Sequence, residues 1–187
     1  MSQEIQNEDD KLLIKEGLYN FTEAEDYGFE LDEYLNGAFE TIFIKQTLLE
    51  DFMLFRDSFI QKNYSQVKFY AHKMKGTFNI ICSHKISNDF KEIQSIITNG
   101  GTDIDDYYVD ACLLMVEFFD SLVEFCKLKN KPIKDELIVK IKNKLEDYDK
   151  KESDNIKSKF KLKKNGVEVE HKSDNICCTS MIECYIF

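Results

Sequence analysis

The stretch Tyr70-Ala71-His72-Lys73-Met74-Lys75-Gly76-Thr77-Phe78-Asn79-Ile80-Ile81 sets a titratable ring, a cation and a position without a side chain at helical spacing. Wound as a helix, it sends Tyr70, Ala71, Met74, Thr77, Phe78 and Ile81 to one side, the i, i+3, i+4, i+7 rhythm of a buried face. His72, Lys75, Gly76 and Asn79 keep the same rhythm on another side. Imidazole has an unperturbed pKa of about 6.5, so near neutral pH a solvent-facing ring is largely an uncharged nucleophile. Lys75, one turn on, can offset and hydrogen-bond an anion gathered at that ring. Gly76 costs about 1 kcal/mol relative to Ala inside a helix. Four residues from His72, it lies beside the ring, where any side chain would obstruct an approaching molecule. The pattern suits receiving a charged group.

The surrounding charge fits. The 187-residue chain carries a net charge of −10, and residues 1–60 hold fifteen acids against four bases. Residues 62–91 reverse this, with Lys62, Lys68, Lys73, Lys75, Lys85 and Lys91 against Asp89 alone. An acidic protein is a poor partner for nucleic acid, which needs a basic surface. Lys68, Lys73 and Asn79 stand as a basic and polar rim around His72. There is no Gly-rich phosphate loop, and no Walker pattern or acidic triad for Mg²⁺, so neither ATP binding nor self-phosphorylation is expected. No nearby Ser, Cys or Asp nucleophile pattern makes His72 the base of a hydrolase.

The elements that must position these residues read as helices. One Pro and seven Gly in a chain that is 43% hydrophobic favour helices over a turn-rich β fold. Residues 1–28 read as an acidic N-terminal segment, with a short helix at most over Lys11–Leu18. Phe29–Leu35 makes one or two turns ended by Asn36-Gly37. One long helix is expected from Ala38 to Lys62, and Asn63 or Ser65 caps the next, which carries His72. A third runs through Ile86, Phe90 and Ile93 to Asn99-Gly100-Gly101. A fourth, capped by Asp103, Asp105 or Asp106, runs to about residue 128 with Cys112 and Cys126 in its core face. The expectation is an all-α protein, an antiparallel up-down four-helix bundle with short flanking helices and a flexible C-terminal tail. Residues 129–148 give one further helix through Ile133, Leu137, Ile141 and Leu145, and 149–187 read as a disordered lysine-rich tail.

His72-Lys73-Met74-Lys75-Gly76-Thr77 resembles the motif of the histidine phosphotransfer (HPt) domains of multistep two-component phosphorelays, H-x-hydrophobic-K-G-small. The resemblance covers about residues 30–128. It extends to Gln94, which stands where members of that family carry a Gln that hydrogen-bonds the histidine ring. The chain departs from the family pattern at Cys82, where a Gly is usual, and at Phe78 and Ile80, where small residues are. The resemblance implies that His72 is the phosphoacceptor, Lys75 stabilises charge, Gly76 gives clearance and Gln94 orients the ring. It implies a phosphoryl carrier without turnover of its own. Its partners would be receiver domains of a hybrid histidine kinase and of a response regulator, which bring the acceptor aspartate and the Mg²⁺; no cofactor of the chain's own is implied. The alternative is an HPt-like decoy or membrane-tethered scaffold that binds receiver domains without phosphotransfer.

The tail carries a separate signal. Cys184-Tyr185-Ile186-Phe187 matches the C-a-a-X prenylation pattern. Stable anchoring takes two signals. Cys177 and Cys178 are candidate palmitoylation sites, and Lys157, Lys159, Lys161, Lys163 and Lys164 a candidate polybasic patch for anionic lipid. A zinc site built from His171, Cys177, Cys178 and Cys184 is the competing use of these residues, although adjacent cysteines do not give the usual spacing. The acidic N-terminus lacks a secretory h-region and Ser2 excludes myristoylation. The expected location is cytoplasmic, with attachment to the cytoplasmic face of a membrane if the tail is lipidated. His84 and His171 read as inert.

Overall fold

A computed structural model describes residues 18–81, 83–131, 133–147 and 152–164, and all of its regular structure is helical. In chain order these are α1 Phe21–Asp26, α2 Leu31–Phe39, a π-helical turn Glu40–Ile44, α3 Thr47–Ile60, α4 Tyr64–Ile80, α5 His84–Thr98, α6 Asp105–Leu128, α7 Asp135–Glu146 and α8 Asp154–Lys164. Helices α3, α4, α5 and α6 each pack on the next, α2 closes against α6, and α7 and α8 lie on α6.

Aromatic rings tie non-neighbouring helices together. Phe55 of α3 meets Phe90 of α5 edge-on at 5.2 Å, and Phe78 of α4 meets Phe118 of α6 at 5.3 Å. Phe59 of α3 stacks on Tyr108 of α6 with centroids 3.6 Å apart. Such pairs add about 0.5–1.5 kcal/mol each beyond the area they bury. Val67, Ala71, Met74 and Phe78 form the buried stripe of α4, so the expected apolar face is the core face. Cys112 and Cys126 are buried thiols, also as expected. Burial pushes the Cys112 thiol up to about 12 and Cys126 up to about 11.

Four features depart from the expectation. The helix foreseen from Ala38 to Lys62 is broken. The π turn brings Ile42 and Phe43 inward together, Phe43 reaches Phe119 at 5.4 Å, and the chain turns at Gln46 with φ +55° before α3 begins. No Gly or Pro marks that break; packing of Phe43 decides it. Asn36-Gly37, expected to stop a helix, lies inside α2, where the Gly37 carbonyl accepts from the Thr41 hydroxyl at 2.8 Å. Helix α6 has Ile104 at its N-cap position without a side-chain cap. Of the aspartates foreseen as caps, Asp103 precedes the N-cap, and Asp105 and Asp106 sit in the first turn, where they bind Lys159 of α8. The remaining caps agree: Asn63 accepts from the Gln66 amide to start α4, and Gly100, at φ +82°, ends α5.

The fourth departure is the largest. The segment expected to be a disordered tail contains α8, which buries Ile156 and Phe160 and sets the Phe160 ring edge-on to Tyr108. Just before it, Glu152 is buried against Arg56, the chain's one arginine, at 2.7 Å. Arg56 also donates to the Lys144 and Leu145 carbonyls in the last turn of α7, at 3.0 and 3.2 Å. The Tyr108 hydroxyl donates to the same carboxylate at 2.9 Å. Helix C-terminal carbonyls and a carboxylate are the partners a guanidinium fork satisfies best. Lys163 pairs with Asp110 at 2.6 Å and Lys159 with Asp106 at 3.0 Å, so these two lysines of the supposed lipid patch are already matched. Beside that seam, burial and the neighbouring Asp110 push the half-buried Asp89 carboxyl up to about 7, against the pull of Lys163 and Lys85. The described part of the N-terminal segment, from residue 18 on, is likewise drawn into the fold: Leu18, Tyr19 and Ala24 are buried, and the Ser83 hydroxyl donates to the Leu18 carbonyl.

Replacing Glu152 with Ala strands a buried guanidinium and is expected to cost roughly 3–5 kcal/mol, read from urea unfolding midpoints. The double variant Arg56→Met, Glu152→Leu should recover most of that loss. A Glu152→Ala protein as stable as wild type would contradict the buried pair.

Candidate functional site

The outward face of α4 carries the residues singled out by spacing. Asn63 starts the helix, the Val67–Phe78 stripe pins its inner face, and His72 is left exposed about halfway along. Across the seam, Gln94 of α5 sits with Oε1 3.4 Å from His72 Nδ1. A carbonyl oxygen there is matched by a proton on Nδ1, the tautomer whose lone pair is on Nε2.

Gly76 is half-buried, and a β-carbon added to it would meet nothing within 4 Å. Close helix packing, the ordinary reason for a mid-helix glycine, is therefore absent here. Lys75 and Lys68 are half-buried neighbours of His72 on the same helix, and among the described residues no carboxylate pairs with either. Lys73, foreseen as part of the rim, instead reaches Asp51 of α3 at 2.6 Å and braces α4 against its neighbour. Asn79 is exposed but tied down, its Oδ1 accepting from the Ser87 hydroxyl of α5 at 2.6 Å. The structure thus brings His72, Lys75, Gly76 and Gln94 together and gives Lys73 and Asn79 bracing duties. Cys177, Cys178, Cys184 and His171 lie outside the described residues, as does Cys82.

Spacing alone missed several participants. Ser87 lies seven residues before Gln94, on the same face of α5, so helical period could have found it. Phe69 (54% exposed) and Ile80 (74% exposed) flank the His72 face as bare apolar side chains. Phe69, Gly76 and Ile80 fall at i, i+7 and i+11, a straight line along the helix. Asp51 gave no signal, because its role depends on how α3 crosses α4. His84, read as inert, pairs with Glu23 of α1 and latches that helix to the start of α5.

Among the described residues no group of three His, Cys, Asp or Glu is placed to share a metal ion, and no helix is long and apolar enough to cross a membrane. An open cleft lined by Leu49, Met53, Leu54 and Lys144 is built from other elements and includes no residue of α4. Comparisons with family models, curated proteins and solved structures give no match to this chain.

Because Gly76 meets no neighbour, Gly76→Ala is expected to raise folding stability by up to about 1 kcal/mol through helix propensity, measured by urea denaturation. A destabilised variant would mean that the glycine serves internal packing.

Proposed function

We propose that this chain is a phosphorelay intermediate, built on an HPt-like antiparallel up-down four-helix bundle of α3, α4, α5 and α6. It accepts a phosphoryl group on His72 from the aspartate of one receiver domain and passes it to another. The observation that carries this reading is an exposed imidazole with Nδ1 against Gln94 Oε1, set between a lysine and an unfilled glycine position.

The chemistry follows from that geometry. Nε2 attacks the phosphorus of an aspartyl phosphate; the N–P bond forms as the P–O bond breaks, and the aspartate leaves as carboxylate. The ring holds its Nδ1 proton against Gln94 throughout. In the return step it therefore departs as neutral imidazole, which suits a carrier that must release what it accepts. Lys75 stands one turn along to balance the phosphoryl dianion. Gly76 lets the donor pocket close on the ring, and Phe69 and Ile80 supply apolar contact on either side. A receiver's acidic pocket would meet the basic rim, with association that weakens as salt rises. Mg²⁺ is the receiver's contribution. Membrane attachment through Cys184, with Cys177 or Cys178 as a second lipid site, remains part of the proposal, whereas Lys159 and Lys163 leave it because α6 occupies them.

Incubation with a ³²P-labelled receiver domain should transfer label to this chain as an acid-labile, base-stable adduct. His72→Gln should abolish transfer, and Gly76→Ala should slow it at least tenfold. Binding of receivers without any transfer would favour the decoy or scaffold instead.

A further inference from the structure

Two bonds between side chains across the α4–α5 seam set its register, and the Ser87 hydroxyl also reaches the Lys75 carbonyl at 3.2 Å. His72 meets Gln94, and Asn79 meets Ser87. The residue numbers of each pair add to the same total, as an antiparallel pair of helices requires. On α4, Lys75 lies three residues after His72 and four before Asn79. On α5, Lys91 lies four residues after Ser87 and three before Gln94. Spacings of three and four keep a residue on one helical face. Lys75 and Lys91 therefore occupy the rung between the two bonded rungs, facing the same seam.

This rung differs from its neighbours. The rungs on either side are donor–acceptor pairs, whereas this one sets a lysine on each helix, like charges that are unfavourable as neighbours. Among the described residues no carboxylate pairs with either lysine, although Lys73, a few residues away, is held by Asp51. Lys75 is half-buried and Lys91 exposed, so the seam is open to solvent on the side where His72 stands. Two cations left unmatched in a chain of net charge −10 describe a place for an anion.

We propose that Lys91 is a second charge-stabilising residue of the site, forming with Lys75 a two-lysine cradle for the oxygens of the phosphoryl group on His72; this rests on the phosphotransfer reading. Lys75 approaches the group from its own helix and Lys91 from across the seam. The dianion is gripped from two directions and set in line over Nε2.

Phosphoramidate tests this without a receiver domain. His72 Nε2 attacks its phosphorus, the new N–P bond forms, the old one breaks, and ammonia leaves with its own protons. The full-length protein is labelled at low ionic strength and the initial rate of phosphohistidine formation followed by ³¹P NMR. Lys91→Gln is expected to slow labelling about fivefold, as for loss of one nearby charge in a partly screened site. Lys91→Arg should restore the rate, and 0.5 M salt should close the gap. Lys62→Gln, an equal change in net charge elsewhere, should label as wild type does. Wild-type labelling by Lys91→Gln while Lys75→Gln is slowed would overturn the cradle and leave the carrier standing. Failure of the unaltered protein to label at His72 would overturn both.

Discussion

A single guanidinium buried among aromatic rings constrains this structure more than any other group. Arg56 cannot shed its charge, and leaving it unpaired in the interior would cost several kcal/mol. Its partners come from widely separated parts of the chain: the C-terminal turn of α7, the carboxylate of Glu152 and, through that carboxylate, the Tyr108 hydroxyl of α6. Burying one cation on α3 therefore requires the chain to run on to Glu152. Once there, α8 follows, with Phe160 against Tyr108 and its inner lysines on the aspartates of α6. Residues 133–147 and 152–164 are therefore structural parts of the fold.

That arrangement covers α6, and among the described residues no further helix packs over the seam between α4 and α5. The inner face of α4 is committed to the core, and Lys73 braces it to α3. Its outer face has been left with the residues that gain little from folding: an exposed imidazole, an unfilled glycine position and two bare apolar side chains. Stability is thereby drawn from one side of the helix, and the proposed chemistry is assigned to the other. The Gln94 contact joins the two, since α5 is positioned by Phe90 and Ile93 in the core while its polar edge brings Gln94 Oε1 to 3.4 Å from His72 Nδ1.

The parts legible in the sequence were those governed by local period. The helices carrying His72, Gln94 and Cys112 follow from apolar residues at three and four, whereas the pairing of Gln94 with His72 follows from the resemblance to HPt domains and not from period. What escaped was set by tertiary packing. The break at Gln46 has no Gly or Pro to announce it, and Gly37 looked like a stop while serving as helix interior. The lysine-rich run from 157 to 164 read as solvated because its partners, Asp105, Asp106 and Asp110, lie some fifty residues earlier. Arg56 attracted no notice, since one arginine in a helix looks like surface until its burial is seen.

The account turns on which nitrogen of one ring carries the transferred group. In the proposed mechanism Gln94 holds the Nδ1 proton, so the adduct is expected at Nε2. The ¹H–¹⁵N correlation spectrum of the phosphorylated, ¹⁵N-histidine-labelled protein reads this directly. A phosphoryl group on Nε2 of His72 is the predicted result; an adduct on Nδ1, or on any residue other than His72, would contradict the account.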